Sequence, residues 1–243
     1  MPIGAIQNVT QLWVYLSASP LLWLFATLAA YAIADRFSAA TNRHPLANPV
    51  LLATIALAAL LAFTHTPYTT YFAGAQFVHF MLGPATVALA VPLAAEWGRV
   101  KRLAIPITIA LFAGSLTAIF SAVGIAWLLG APHAVLASLA PKSVTTPIAM
   151  GIASMIGGLP SLTATLVVVT GILTAVIAGP ISRLLRMKDH AAHGFASGLA
   201  GHGIATASAY HDSRIAGIFA GLALALNGVL TSILAPLVMK LWS

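Results

Sequence analysis

The sequence contains no cysteine and very few charged residues. Of its 243 residues 6% are charged, and the four acidic residues are Asp35, Glu96, Asp189 and Asp212. The absence of cysteine excludes disulfides and thiolate metal sites. Soluble domains carry about 25% charged residues, so this chain cannot cover a water-exposed surface in the usual way. Most of its surface must therefore face lipid.

The residues needed for enzyme chemistry are also lacking. All four acidic residues lie at predicted loop positions, and no paired carboxylates, HExxH, P-loop or GxSxG motif occurs. His190 and His193 have a spacing that a metal could use, but we interpret the pair as part of a loop. We predict no enzymatic activity, no cofactor and no metal site.

Apolar residues fill the space that charge leaves. They make up 60% of the chain, the mean hydropathy is +0.99, and they are grouped in runs near the roughly 20 residues that a membrane-spanning helix needs. The sequence predicts an all-α, polytopic membrane helix bundle of about seven to eight segments, forming one domain over residues 1–243. The predicted segments are 11–34, 46–63, 67–97, 105–129, 133–157, 159–185, 193–209 and 215–241.

The 11 lysine and arginine residues lie mainly between these apolar runs. Basic loops are typical of the cytoplasmic side of a membrane, which assigns loops 35–47, 96–103 and 183–188 to that side. The positive charge therefore indicates a multi-pass protein of the cell (inner) membrane, with the lipid bilayer as its surroundings and no nucleic-acid partner.

Two of the predicted segments are interrupted. Segment 67–97 carries Gly83-Pro84 in its middle, and segment 133–157 carries a polar stretch bounded by Pro141 and Pro147. If segment 133–157 crossed the membrane, the basic loop 183–188 would fall on the wrong side. A re-entrant hairpin with its tip at Pro141–Pro147 removes this conflict and is favoured, although a full crossing stays open. The similarity of the two segments is consistent with an inverted repeat.

Interrupted helices place helix N-termini inside the membrane, where their partial positive charge attracts anions. The second half-helices are expected to begin near Ala85–Thr86 and near Thr146–Pro147. Hydroxyls at these ends could bind a carboxylate. The alternative is two proline kinks whose hydroxyls bond to their own helices. The candidate hydroxyl residues are Thr86, Ser143, Thr145 and Thr146.

Two further residues are candidates for the same site. Lys142 is the one basic residue inside an apolar stretch away from the basic loops, and an ammonium at membrane depth is costly unless it meets a counter-ion or a substrate. It could instead extend to the interface. His202, among small residues such as Gly194 and Gly198, could contact an anion or carry a proton, or simply bond between helices. We interpret Asn227 as a link between helices.

Several stretches resemble the signature runs of the LrgB/CidB family, namely LGPATVALAVPL, PKSVTTPIA, IGGLPSLTA and TGILTAVIAGP, and the similarity extends over nearly the whole chain. The resemblance implies one of two functions. Members are described as antiholin-like regulators of murein hydrolase export and autolysis, acting with a holin-like LrgA/CidA partner. A plastid relative is a glycolate and glycerate translocator, and bacterial members have been tied to pyruvate uptake.

Small monocarboxylates fit the interrupted helices and the lone lysine better than a folded hydrolase does. The sequence therefore predicts a transporter of small organic anions, with an antiholin-like regulator as the alternative. We expect a homo-oligomer, for which a dimer is one form. The predicted substrate contacts are Thr86, Lys142, Ser143, Thr145, Thr146 and His202. Where the family pattern carries basic and acidic residues, this chain has His193, Ser208 and His211, which puts a charge relay there in doubt.

Overall fold

The computed structural model describes residues 19–88 and 90–242, and every regular element in these ranges is a helix. The predicted all-α fold is confirmed. The contacts divide the chain between Val87 and Ala88 into two compact units, and each is described here by itself. The prediction of one domain over the full length stays a prediction.

The first unit has four helices within its described residues, of which the first two begin with proline, a residue that suits the start of a helix. Asn48 caps the second helix, where its side-chain oxygen accepts a hydrogen bond from the Val50 N–H at 2.9 Å. Gly74 lets the third helix approach the first, because an added Cβ would collide with the Pro20 carbonyl. The elements are α1 (Pro20–Ala40), a 3-10 turn (Pro45–Ala47), α2 (Pro49–Phe63), α3 (Tyr68–Phe80) and α4 (Leu82–Ala88).

The backbone around Gly83-Pro84 stays helical. Met81, between α3 and α4, has φ −68° and ψ −13°, and the Ala85 N–H donates to its carbonyl at 2.9 Å. Pro84 lies in the first turn of α4, where its missing N–H is not needed. A helix boundary therefore lies at Met81, a few residues before the predicted start near Ala85–Thr86, but the backbone does not leave the helical region there. The side chain of Thr86 lies outside the described residues.

The second unit has eight helices within its described residues. Two are short and precede the first long one, and two more belong to an interrupted segment between long helices. They are α5 (Ala90–Ala95), α6 (Trp97–Arg102), α7 (Ala104–Leu128), α8 (His133–Leu139), α9 (Thr146–Met155), α10 (Pro160–Leu184), α11 (His190–Asp212) and α12 (Arg214–Met239).

Five stretches of the described chain are long and apolar enough to cross a membrane. They are α1, Tyr68–Ala95, α7, α10 and α12, while α2 and α9 are shorter apolar helices. Large apolar side chains such as Phe63, Ile105 and Leu128 are exposed, as expected where a surface meets acyl chains. Alanine recurs among the buried residues, beside larger side chains such as Phe219, and α12 is the most buried of the five stretches. A membrane helix bundle is confirmed.

Residues 133–157, called the first hairpin, enter and leave the bundle at one place. An added Cβ on Gly157 would touch the His133 ring, and the Leu159 N–H donates to the Ser138 hydroxyl at 2.8 Å. A segment that crossed the bilayer would hold its ends about 30 Å apart. The segment is therefore the re-entrant hairpin that the basic loops favour, and its tip lies between α8 and α9.

Residues 190–212, called the second hairpin, also fold back, which the sequence did not indicate. Helix α11 is interrupted at Gly201 (φ −123°, ψ 17°) and His202 (φ 43°, ψ −137°). The His193 Nε2 and Asp212 Oδ2 atoms, 19 residues apart in sequence, lie 3.0 Å apart. A straight helix would separate them by about 28 Å. The prediction of one weak helix over 193–209 is therefore wrong.

The second hairpin packs on α12 through small residues. An added Cβ on Gly194 or Gly198 would collide with the backbone of Ala216 or Ala220, respectively. This is the small-xxx-small spacing that brings membrane helices together. The returning arm reaches the same face of α12, because Ala209 clusters with Ala216 and Ala220.

The two hairpins enter from opposite ends of the bundle. Near the end of α7, Val123 clusters with Leu136 of the first hairpin. Near the start of α7, Leu111 clusters with Phe195 of the second hairpin. The order of elements is thus a long helix and a hairpin, α7 with the first and α10 with the second, repeated in the opposite direction. This order supports the predicted inverted repeat, which stays a prediction.

Candidate functional site

The tips of the two hairpins meet at one side chain of α12. Asn227 is 1% exposed, and its amide nitrogen donates to the Ser143 carbonyl at 3.2 Å and to the Leu199 carbonyl at 3.0 Å. Ser143 belongs to the tip of the first hairpin, and Leu199 lies just before the interruption in the second. Two interrupted segments of the second unit, the first and the second hairpin, therefore meet at Asn227, and a substrate site at this point stays a prediction.

A cavity of about 660 Å³ lies beside this meeting point. Small residues of α7 and of the first arm of the second hairpin, such as Ala113, Gly114 and Ala196, form much of its wall. Such a wall leaves room for a solute and offers few polar groups to bind one. The polar and charged residues that line the cavity are Thr117, Lys142, Ser143, Thr170, Thr174 and Asp189.

Lys142 supplies the positive charge of the cavity. Its side chain is half-buried, and its ammonium donates to the Ser143 hydroxyl at 3.3 Å. Among the described residues no carboxylate lies within ion-pair distance of it. An ammonium that is partly removed from water and lacks a protein counter-ion favours a negatively charged partner. The prediction that places Lys142 in contact with an anion is thus consistent with its surroundings.

Asp189 marks the other end of the cavity, beside the basic loops. Its carboxylate accepts the Ala191 N–H at 2.8 Å, which caps the second hairpin. It also lies 3.4 Å from the Arg99 guanidinium. This ion pair joins the short helix α6, within the basic stretch 96–103, to the loop after α10. The two basic stretches therefore lie at the same end of the bundle. The cavity therefore extends from the basic end to the tip of the first hairpin.

Three of the predicted contacts, Thr145, Thr146 and His202, are not among the described residues that line the cavity. Thr145 and Thr146 begin α9 next to Ser143, and the Thr145 side chain forms no capping hydrogen bond. His202 is 5% exposed, and its Nε2 lies 3.0 Å from the Val167 carbonyl. A carbonyl only accepts, so Nε2 carries the hydrogen, and His202 ties the tip of the second hairpin to α10. This matches the alternative interpretation of a histidine bonded between helices.

The base of the second hairpin holds a chain of hydrogen bonds. His193 Nδ1 lies 2.5 Å from the Ser182 hydroxyl, and its Nε2 lies 3.0 Å from the Asp212 carboxylate. His211 stands where the family pattern carries an acidic residue. The structure shows that Asp212, the next residue, provides a carboxylate for His193. The three side chains lie outside the cavity lining and join both arms of the hairpin to the end of α10.

Some residues that line the cavity were not predicted from the sequence. Thr170 and Thr174 lie one turn apart on α10, where the Thr174 hydroxyl donates to the Thr170 carbonyl at 2.8 Å. Their spacing of four residues is the one signal that could have placed them on a shared face. Thr117 gave no signal, because a single threonine in an apolar helix is common.

The sequence of this chain is similar to one family model and to several known proteins. The model of the LrgB-like family matches residues 27–241. The uncharacterized protein YwbG of Bacillus subtilis is 34% identical, covering 89% of this chain and 96% of that relative. YxaC of the same species is 34% identical over 91% and 94%. The antiholin-like protein LrgB of Bacillus cereus is 27% identical over 91% and 96%.

No solved structure matches the chain. The family match covers most of the chain, including both hairpins and the cavity between them. The sequence comparisons and the membrane helix bundle agree, and the chain belongs to the LrgB-like family of multi-pass membrane proteins.

Proposed function

We propose that this protein transports a small organic anion, of the glycolate, glycerate or pyruvate type, through the cavity between the hairpins. The observation that carries the proposal is Lys142, a half-buried ammonium that lines the cavity and has no carboxylate partner among the described residues. A monocarboxylate would supply the missing charge. Attraction between opposite charges is strong where water is scarce.

The surroundings of Lys142 support the same substrate class. The Ser143 hydroxyl lies next to the ammonium and can donate to a carboxylate oxygen. Threonine hydroxyls on two other walls, at Thr117 and Thr170, could bond to the hydroxyl or keto group of such an acid. A cavity of about 660 Å³ lies within the range of small-molecule sites, roughly 300 to 1,000 Å³. A folded hydrolase is far too large for it.

A second candidate function has an observation of its own. Several relatives carry the name antiholin-like protein LrgB, which favours a regulator of murein hydrolase export and autolysis over a transporter. Such a protein would act by assembly, as a homodimer or with a holin-like LrgA/CidA partner. It would need no solute in the cavity, so Lys142 would have no role that depends on an anion.

Uptake by purified protein in liposomes distinguishes the two candidates. We expect the wild type to take up labelled glycolate, glycerate or pyruvate under an ion gradient. Lys142→Met, which keeps the length of the side chain but removes its charge, should lower kcat/KM about 30-fold or more, because a buried charge pair is lost. Lys142→Arg should retain part of the activity.

The matched control is Lys188→Met, which removes a charge from an exposed loop and should leave uptake within about twofold. If the wild type moves none of the three acids under any gradient, transport is the wrong function and assembly takes its place. Equal loss in Lys188→Met and Lys142→Met would show that the effect reflects net charge rather than the cavity.

A further inference from the structure

The side chain of Asn227 uses its full hydrogen-bonding capacity. Its oxygen accepts from the Ser115 hydroxyl at 2.7 Å and from the Thr231 hydroxyl at 3.0 Å. Its nitrogen donates to the Ser143 and Leu199 carbonyls. An amide has two acceptor positions and two donors, so nothing is left over. The two carbonyls carry no hydrogen, which fixes the orientation of the amide.

The second hairpin makes one of these bonds necessary. In an uninterrupted helix the Leu199 carbonyl would accept from the N–H of Gly203, four residues on. Both non-helical residues, Gly201 and His202, lie within that turn. The interruption therefore disturbs the ordinary partner of a buried carbonyl, and the Asn227 amide provides a replacement. A buried carbonyl without a partner would cost free energy.

The other bond, from the Asn227 amide to the Ser143 carbonyl, restrains the tip of the first hairpin. Ser143 lies in the non-helical tip between α8 and α9, and it follows Lys142 directly. A hydrogen bond to the Ser143 carbonyl restrains the backbone at the point from which the Lys142 side chain extends. One amide thus fixes the tips of both hairpins relative to α12 and α7, since Ser115 belongs to α7.

We propose that Asn227 is a positioning residue for the anion site, which holds the two hairpin tips together and so sets the place of Lys142 in the cavity. This inference rests on the proposed transport function for its effect on the substrate. The effect of Asn227 on the positions of the two tips is independent of that function. Asn227 touches no substrate in this scheme and acts through Ser143 and Leu199.

Asn227→Asp is the sharpest test, because it keeps the shape of the side chain but offers at most one donor to the two carbonyls. The controls are Ser115→Ala and Thr231→Val. Each removes one buried hydrogen bond to Asn227 but leaves both bonds to the hairpin tips in place. A general loss of core stability would affect all three variants alike.

The tips can be observed directly because the chain has no cysteine. Thr145→Cys, at the start of α9, gives a single thiol whose reaction with a membrane-impermeant maleimide is measured in liposomes. We expect Asn227→Asp to raise the labelling rate of this thiol about tenfold, a change of about 1.4 kcal/mol in the opening of the tip. Ser115→Ala and Thr231→Val should change it less than about threefold.

The same variants, without the added cysteine, are then assayed for uptake. We expect Asn227→Asp to raise the KM for the transported acid about tenfold while kcat changes less, because the position of Lys142 is disturbed. Equal labelling rates in Asn227→Asp and Ser115→Ala would overturn the proposal. A KM for Asn227→Asp equal to that of the controls would also overturn it.

The labelling test decides the proposal even if no acid is transported, so failure of the proposed function and failure of this inference are distinct results. If Asn227→Asp does not give monodisperse protein, Asn227→Ser replaces it in both measurements. It keeps a single hydroxyl donor and should show a rise in labelling rate between the wild type and the tenfold increase. An unchanged rate would again count against the positioning role.

Discussion

The two hairpins meet at the same amide but are interrupted by different chemistry. In the first hairpin a polar stretch bounded by Pro141 and Pro147 separates two helices. In the second hairpin two residues suffice, Gly201 and His202, and neither is proline. A proline in the interior of a helix removes a backbone hydrogen bond and kinks or breaks the helix. A histidine at positive φ is held there only by its surroundings.

The hairpins also differ in how closely they pack. The first arm of the second hairpin lies against the backbone of α12 at Gly194 and Gly198, whereas Gly151 in α9 of the first hairpin has open space at its Cβ position. The contact between the second hairpin and α12 therefore depends on the absence of side chains at Gly194 and Gly198. The first hairpin depends on side-chain hydrogen bonds at its base, from Ser138 and Thr163.

The largest expected effect comes from replacing a glycine of the second hairpin by leucine, with the same change in the first hairpin as the comparison. Gly198→Leu should destabilise the protein by more than about 3 kcal/mol, because the Cβ collides with the Ala220 backbone. Gly151→Leu should change stability by less than about 1 kcal/mol. Thermal unfolding and the monodisperse fraction in detergent measure both. Equal tolerance of leucine at the two positions would contradict the difference in packing.

An intermediate effect is expected at the base of the hairpins. Ser138 is fully buried, donates to the Ala134 carbonyl and accepts from the Leu159 N–H. Ser138→Ala leaves both groups without this partner and should cost about 2 kcal/mol. Ser182→Ala, at the half-buried base of the second hairpin, should cost less than about 1 kcal/mol. A larger shift in unfolding temperature for Ser182→Ala would reverse the comparison.

The smallest effect concerns the tip of the second hairpin. His202→Ala and His202→Gly both lose the hydrogen bond to Val167, but glycine adopts the local φ of 43° more easily. We expect the glycine variant to be more stable than the alanine variant by about 1 kcal/mol. Thermal unfolding of the two purified proteins gives the difference directly. A more stable alanine variant would show that the backbone at residue 202 relaxes.

The sequence predicted the membrane bundle and the first hairpin because their causes are local. Long apolar runs, basic loops and the prolines at 141 and 147 are visible without any knowledge of packing. The same reasoning predicted a break at Gly83-Pro84, where the structure has a helix boundary at Met81 without a non-helical residue. A proline in the first turn of a helix is tolerated because its missing N–H is not needed. Lys142 and Ser143, which the sequence assigns to an interrupted segment, both line the cavity, and their contact with a substrate stays a prediction.

The second hairpin could not be predicted in the same way because its cause is tertiary. The bend at Gly201–His202 is held by contacts with residues distant in the sequence, from Val167 to Asn227. Glycine and histidine occur in many straight helices, and nothing in the spacing marks a reversal. Asn227 was interpreted as a link between helices, and the structure shows that the link joins the two tips.

The opposed entry of the two hairpins has an electrical consequence. Each hairpin carries polar backbone from its own face of the bundle inward, so the insulating layer between the faces is thinnest where Asn227 joins the tips. The membrane potential should fall mainly across this short stretch. Moving one elementary charge across the full potential involves about 2.3 kcal/mol per 100 mV. A monovalent anion held at Lys142 would therefore experience the field of the energised membrane directly.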